Sequence, residues 1–96
     1  ELAVSMAREA GLENNFMGHR QHAGFVGHGV GIEINELPVL APRSRAVLEA
    51  GNVIAVEPKF VIPGVGAVGI ENTYVVNAGA PMTQLTTAPE DIVYFD

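Results

Sequence analysis

Residues 52–77 read NVIAVEPKFVIPGVGAVGIENTYVVN, a stretch with strong signals for two strands and a turn. Two runs rich in β-branched residues flank the sequence PGVG at 63–66. β-Branched residues favour strands, and Pro-Gly favours a turn. The stretch therefore predicts an antiparallel hairpin centred on Gly64. In a symmetric hairpin without a bulge, the numbers of paired residues add to 128.

That register places two glutamates opposite each other. Glu57 and Glu71 are each the only carboxylate of an apolar run, and their numbers add to 128. Like charges that face each other across a strand pair are destabilising, so either a cation lies between them or they share a proton. The alternative is a solvent-facing position, since Ala55, Glu57 and Lys59 lie on one side of an alternating strand.

Upstream, residues 25–38 read FVGHGVGIEINELP, with His28 between glycines. Residues 23–34 predict an extended strand, and glycine weakens a strand, so these glycines need a reason: room for a metal, a substrate or a second backbone. One His with two Glu is a mixed nitrogen and oxygen donor set, which suits Zn, Mn, Co or Fe better than Ca or Mg. A structural histidine without a ligand is the alternative.

The other segments complete an α+β chain. They predict, in order, a helix from Leu2 that stops at Gly11, a loop over 12–22, a long connection over 35–52 with a helical turn near 46–50, and a weak third strand over 80–87. Together the segments predict one helix packed on an antiparallel sheet.

Composition argues against several classes of function. Ninety-six residues form at most one domain, and a net charge of −6 with a single lysine argues against nucleic-acid binding. The absence of cysteine excludes disulfides and thiolate metal sites. The longest apolar region, 53–70, contains charges and prolines, so we expect no membrane span and a cytoplasmic location. The chain starts inside the predicted helix without a capping residue, which indicates a piece of a longer protein.

The order of the motifs resembles that of a known family. GHGVG at 27–31, ELP at 36–38, AVEP at 55–58 and GIENTYVV at 69–76 are similar to the C-terminal half of the pita-bread metallopeptidases. This family includes methionine aminopeptidase, Xaa-Pro aminopeptidase and prolidase. The resemblance implies that residues 1–96 are the C-terminal part of a catalytic domain, with half of a pita-bread fold.

The resemblance also implies a site with two divalent ions, often Mn or Co. His28, Glu57 and Glu71 match three of the five family ligands; the last of them bridges both metals, and Glu57 takes part in proton transfer. The metals polarise the scissile carbonyl. The other two ligands are aspartates of an earlier strand, whereas Asp91 and Asp96 lie at the far end of this chain. We therefore expect the chain, without the N-terminal half of the fold, to be inactive and to self-associate through exposed edges.

Asn35 departs from the family pattern. Many active members have a histidine just before the glutamate that matches Glu36, and it helps to stabilise the reacting carbonyl. Asparagine donates a hydrogen bond but carries no proton at neutral pH, so Asn35 is a candidate substrate-binding residue with weaker catalytic power.

The leading hypothesis is a metal-dependent exopeptidase of the Xaa-Pro dipeptidase or aminopeptidase type, which acts on peptides with His28 and Glu57 in catalytic roles. A non-catalytic module that binds peptides or proteins, and a structural fragment without a site, are the alternatives. Asn72 is a candidate for supporting the neighbouring Glu71. The loop histidines His19 and His22 are three apart, but a loop favours solvated imidazoles over a metal pair.

Overall fold

The structure, a computed structural model, describes residues 1–18 and 24–95. His19 and His22 lie outside the described residues. The elements in chain order are helix α1 (Leu2–Glu9), a 3₁₀ turn (Glu13–Asn15), and strands β1 (Gly27–Gly29), β2 (Glu36–Leu40), β3 (Val53–Val56), β4 (Lys59–Ile62), β5 (Gly66–Gly69), β6 (Asn72–Asn77) and β7 (Ala80–Gln84). Five strands form one antiparallel sheet in the order β2-β1-β3-β6-β7, and β4 and β5 form a second sheet.

The hairpin of residues 52–77 has the predicted register. Strand β3 pairs with β6, β4 pairs with β5, and in every pair the residue numbers add to 128. Each predicted strand is nevertheless interrupted, the first at Glu57-Pro58 and the second at Ile70-Glu71. The hairpin is thus divided between the two sheets. Pro58 contributes to the break because it has no N–H to donate to a ladder.

The core lies on β3, the central strand of the larger sheet. The side chain of Ile54 is fully buried, and Ala55, which points to the other face, is only 3% exposed. Both faces of the strand are therefore covered at this level. The alternative that Ala55 begins a solvent-facing side of the strand is wrong.

The segment after α1 is anchored to the small sheet. The rings of Phe16 and Phe60 have centroids 5.4 Å apart, and the backbone N–H of Met17 donates to the Lys59 carbonyl at 2.8 Å. Asn15 adds a side-chain hydrogen bond to β4. The first half of the predicted loop therefore has a defined position on the small sheet. Helix α1 itself lies beside β2, across a groove of about 890 Å³.

Three predictions for residues 23–50 are wrong. Within the described part of the predicted strand, residues 24–34, a ladder forms only at β1, and the chain bends over 31–35. Residues 36–40, predicted as part of a connection, form edge strand β2, and residues 46–50 contain no helical turn. Proline suggested a loop here, but Pro38 lies where the β1–β2 register shifts, and edge strands and bulges tolerate proline. Strand β7 (Ala80–Gln84) confirms the first five residues of the third strand predicted over 80–87.

Candidate metal centre

The structure brings together the three side chains that the sequence predicts as ligands. His28 lies on β1, Glu57 directly follows β3, and Glu71 directly precedes β6. One donor atom from each residue lies within 4.8 Å of the others. The prediction that the two glutamates face each other beside this histidine is confirmed.

The site forms where the hairpin passes from one sheet to the other. On one side the last pair is Val56 with Asn72, and on the other the first pair is Lys59 with Gly69. The N–H of Glu57 donates to the Val26 carbonyl at 2.8 Å, in line with the β1–β3 ladder. This bond holds the backbone of the first glutamate against the strand that carries His28.

The hydrogen bonds of His28 define its tautomer. Nδ1 lies 2.9 Å from the carbonyl oxygen of Gly29. Because a carbonyl oxygen only accepts, Nδ1 carries a proton. Nε2 faces Glu57 Oε2 at 3.1 Å, so this nitrogen either donates a second proton to the carboxylate or offers its lone pair to a cation. A histidine that ligates a metal through one nitrogen commonly donates the other N–H in this way.

The electrostatics of the site favour positive charge at this imidazole. The Gly29 carbonyl raises the pKa of His28 most, burial lowers it, and the carboxylates of Glu57 and Glu71 raise it further, with a net increase above 6.5. A proton on Nε2 therefore places positive charge against the facing Glu57 carboxylate. This charge offsets the repulsion between the two facing carboxylates that the sequence predicts. A divalent cation at the same place would do so with more charge.

Exposure increases across the three side chains. His28 is 6% exposed, the side chain of Glu57 is 33% exposed, and Glu71 is exposed. The Phe25 ring also makes a T-shaped contact with the His28 imidazole, with centroids 5.9 Å apart and an interplanar angle of 81°. The histidine is thus held in the fold, and the site opens to solvent on the side of Glu71.

The glycines beside His28 make room for neighbouring strands. A Cβ on Gly27 would lie 2.7 Å from the carbonyl oxygen of Ala55. A Cβ on Gly29 would overlap the carbonyl oxygen of Leu37. Of the three reasons that the sequence leaves open, a close second backbone is the one that these contacts support.

Asn35 is the predicted site residue that the structure does not bring into this group. It is exposed and lies in the bend before β2. Its side chain forms no hydrogen bond within residues 1–18 and 24–95. Its role towards a substrate stays a prediction.

Sequence reasoning missed two supports of the site. The first is the Gly29 carbonyl, which selects the tautomer of His28; a backbone group carries no signal in a sequence. The second is the set of hydrogen-bond partners of Asn72, which come from the segment after β6; Asn72 itself was predicted as a support of Glu71. The polar residues of that segment suggested only a weak strand.

Comparison with known proteins decides the family. The sequence profile of metallopeptidase family M24 matches residues 1–78. The chain belongs to metallopeptidase family M24. A similar relative of this M24 chain is the Xaa-Pro dipeptidase of Pyrococcus furiosus, 40% identical over 72 residues, which are 75% of this chain and 20% of that protein.

Solved structures agree with this assignment. The Xaa-Pro dipeptidase from Bacillus anthracis superimposes with a TM-score of 0.81 at 37% identity, over 96% of the M24 chain and 24% of that chain. The X-Pro aminopeptidase from Thermotoga maritima superimposes with a TM-score of 0.80 at 29% identity, over 94% of the M24 chain and 24% of that aminopeptidase chain. The α+β class and the pita-bread resemblance are confirmed. The M24 chain spans about a quarter or less of the length of these relatives.

Proposed function

We propose that His28, Glu57 and Glu71 are ligands of a divalent metal centre in an exopeptidase of the Xaa-Pro dipeptidase or aminopeptidase type. The observation that carries this proposal is the approach of their three donor atoms to within 4.8 Å. Membership of a metallopeptidase family supports a divalent metal cofactor. The donor set of one imidazole and two carboxylates suits Mn, Co, Zn or Fe.

The full centre would hold two ions, with the remaining ligands supplied by parts of the catalytic domain outside this chain. When bound, the metals would polarise the carbonyl of the scissile peptide bond. Glu71, the most exposed of the three, would be one of the residues that hold the metal. This chain, as the C-terminal part of the domain, would be inactive alone.

The chain's own residues would orient the ligands and hold a proton. The Nδ1–H bond to Gly29 keeps Nε2 of His28 directed at the site. Glu57 Oε2 lies within hydrogen-bonding distance of that nitrogen and is partly open to solvent, so this carboxylate can hold and release a proton near the reacting bond. The exposed amide of Asn35 would donate to a backbone carbonyl of the peptide substrate.

A non-catalytic module that binds peptides or proteins is the second candidate. It is favoured by Asn35, since an amide cannot carry a proton at neutral pH. Loss of metal ligands would be expected in such a module, and His28, Glu57 and Glu71 are all present. That observation favours the enzyme.

We propose the cytoplasm as the location, with a peptide as the substrate and no nucleic-acid or membrane partner. The relatives that support a peptide substrate are named Xaa-Pro dipeptidases. Within the described residues, no helix has the length and apolar character to cross a membrane.

Metal content tests the proposed centre. The full-length protein is purified without chelator as wild type, Glu71→Gln and the control Glu49→Gln, which removes one carboxylate from the exposed connection after β2. We expect elemental analysis to find a divalent transition metal in the wild type and the control, and much less in Glu71→Gln. Equal metal content in all three would refute the site. Chelator-sensitive release of the first residue from an Xaa-Pro peptide by the wild type would separate the enzyme from the binding module.

A further inference from the structure

A buried asparagine lies next to the proposed ligand Glu71 and has a dense set of hydrogen bonds. Asn72 is 7% exposed. Its Oδ1 accepts from Thr86 Oγ1 at 2.7 Å and from Gln84 Nε2 at 3.2 Å, and its Nδ2 donates to Glu90 Oε1 at 2.7 Å. Both lone pairs of the amide oxygen are therefore used, and the amide has one defined orientation.

The partners of Asn72 also bind one another and the backbone of β6. Gln84 Nε2 donates to the Thr86 carbonyl at 2.7 Å. Thr86 Oγ1 accepts from the N–H of Thr73 at 3.1 Å, and the Leu85 N–H donates to the Thr73 carbonyl at 2.7 Å. Residues 84–90 are thereby fastened to the first two residues of β6.

These hydrogen bonds lie directly beside Glu71, because Asn72 is the next residue along the chain. The ladder between β3 and β6 ends at the pair of Val56 with Asn72, so among the described residues the glutamate itself has no ladder partner. On its other side, the N–H of Ile70 reaches the Pro58 carbonyl at a long 3.3 Å. The Asn72 cluster therefore restrains the residue directly after this ligand through shorter hydrogen bonds, two of them 2.7 Å long.

We propose that Thr86 and Gln84, through Asn72, are positioning residues for Glu71 and so set the metal affinity of the centre. This inference rests on the proposed function. The M24 profile matches only residues 1–78, so the family match does not assign the segment 84–90 a role. Partners that orient a metal ligand typically change metal affinity about 10–100-fold when they are removed.

The same strand offers a matched control. Asn77, at the other end of β6, donates through Nδ2 to Thr83 Oγ1 at 2.8 Å and to the Pro81 carbonyl at 2.8 Å. This second cluster also joins an asparagine of β6 to a threonine of the following segment, but it lies six residues from Glu71. A purely structural role predicts equal effects of the two threonines on metal binding.

The test titrates Co²⁺ into the metal-free full-length protein. Calorimetry measures the binding affinity, and the visible absorption of the bound ion reports its coordination. The variants are Thr86→Val, the rescue Thr86→Ser, and the control Thr83→Val. We expect Thr86→Val to weaken Co²⁺ binding by up to about tenfold, the lower limit for groups bonded to a ligand itself, and to change the absorption spectrum. Thr86→Ser, which keeps the hydroxyl, and Thr83→Val should bind as the wild type does.

Two further measurements keep the outcomes distinct. Thermal unfolding in chelator shows whether each variant folds, and Gln84→Ala, which removes a neutral exposed partner of Asn72, replaces Thr86→Val if that variant does not fold. The positioning role is overturned if Thr86→Val binds Co²⁺ with the affinity and spectrum of the wild type. It is also overturned if Thr83→Val loses as much affinity as Thr86→Val. In both cases the proposed centre itself stands as long as Glu71→Gln abolishes binding. If Glu71→Gln binds Co²⁺ as tightly as the wild type, the proposed centre fails and the positioning role fails with it.

Discussion

Substitution of Gly27 by alanine tests the close approach of strands beside His28. The added Cβ would lie 2.7 Å from the Ala55 carbonyl oxygen and 2.8 Å from Leu40 Cδ1, whereas ordinary contact begins at 3.4 Å. The leucine methyl can rotate away. The carbonyl belongs to β3, which is paired on both sides, so β1 has to move instead.

The size of the effect follows from this geometry. Overpacking of a tight site costs about 1–3 kcal/mol in the free energy of unfolding. For a chain of this length, each kcal/mol lowers Tm by about 4–8 °C. Movement of β1 away from β3 also lengthens the 3.1 Å approach of His28 to Glu57, so metal binding should weaken as well.

The control is Gly24→Ala, because a Cβ there meets no atom of residues 1–18 or 24–95 within 4 Å. An alanine at an unstrained, open glycine position is expected to be neutral or to stabilise by about 0.4–1 kcal/mol. The assay is urea and thermal unfolding of wild type and both variants in chelator, followed by a Co²⁺ titration. If Gly27→Ala unfolds with the same free energy as Gly24→Ala, the close packing of β1 on β3 is not the reason for this glycine.

Three further predictions concern pH, activity and association. In chelator, the Gly29 carbonyl and the Glu57 carboxylate raise the pKa of His28 in the folded state. The contribution of His28 to the free energy of unfolding should therefore be full below its unfolded pKa of about 6.5 and be lost as pH rises through the folded pKa. An unchanged pH slope in His28→Asn would contradict this. Residues 1–96 alone should release no N-terminal residue from an Xaa-Pro peptide, and chelator-sensitive release would refute the expectation. The same chain should self-associate, since apolar side chains such as Ile32 are exposed; light scattering that finds a monomer over a wide concentration range would count against it.

The local register and the ligand types were predictable from the sequence. The Pro-Gly turn and the strand period of two sufficed to place Glu57 opposite Glu71, and β4 and β5 carry that register up to the turn. A carboxylate in an apolar run is conspicuous because its burial without a partner is costly. The two carboxylates of the candidate site could therefore be singled out from the sequence alone.

Strand β2 and the purpose of the glycines were not predictable in this way. A run with Pro38 suggested a loop, because the sequence does not show that the strand lies at an edge with a register shift. The sequence left open whether Gly27 makes room for a metal, a substrate or a second backbone. The atoms that its missing Cβ would meet belong to Ala55 and Leu40, which are 28 and 13 residues away. Only the pairing of β1 with both neighbours makes these contacts.

Short-range geometry was sufficient to predict three features from residue types: the helix before Gly11, the hairpin, and the two facing carboxylates. The tertiary structure decided what depends on strands that are distant along the chain. It placed His28 beside the end of β3, selected its tautomer through the Gly29 carbonyl, and brought residues 84–90 onto Asn72. The physical reason is that hydrogen bonds and close packing between strands depend on which backbone groups meet, and residue types alone do not specify that meeting.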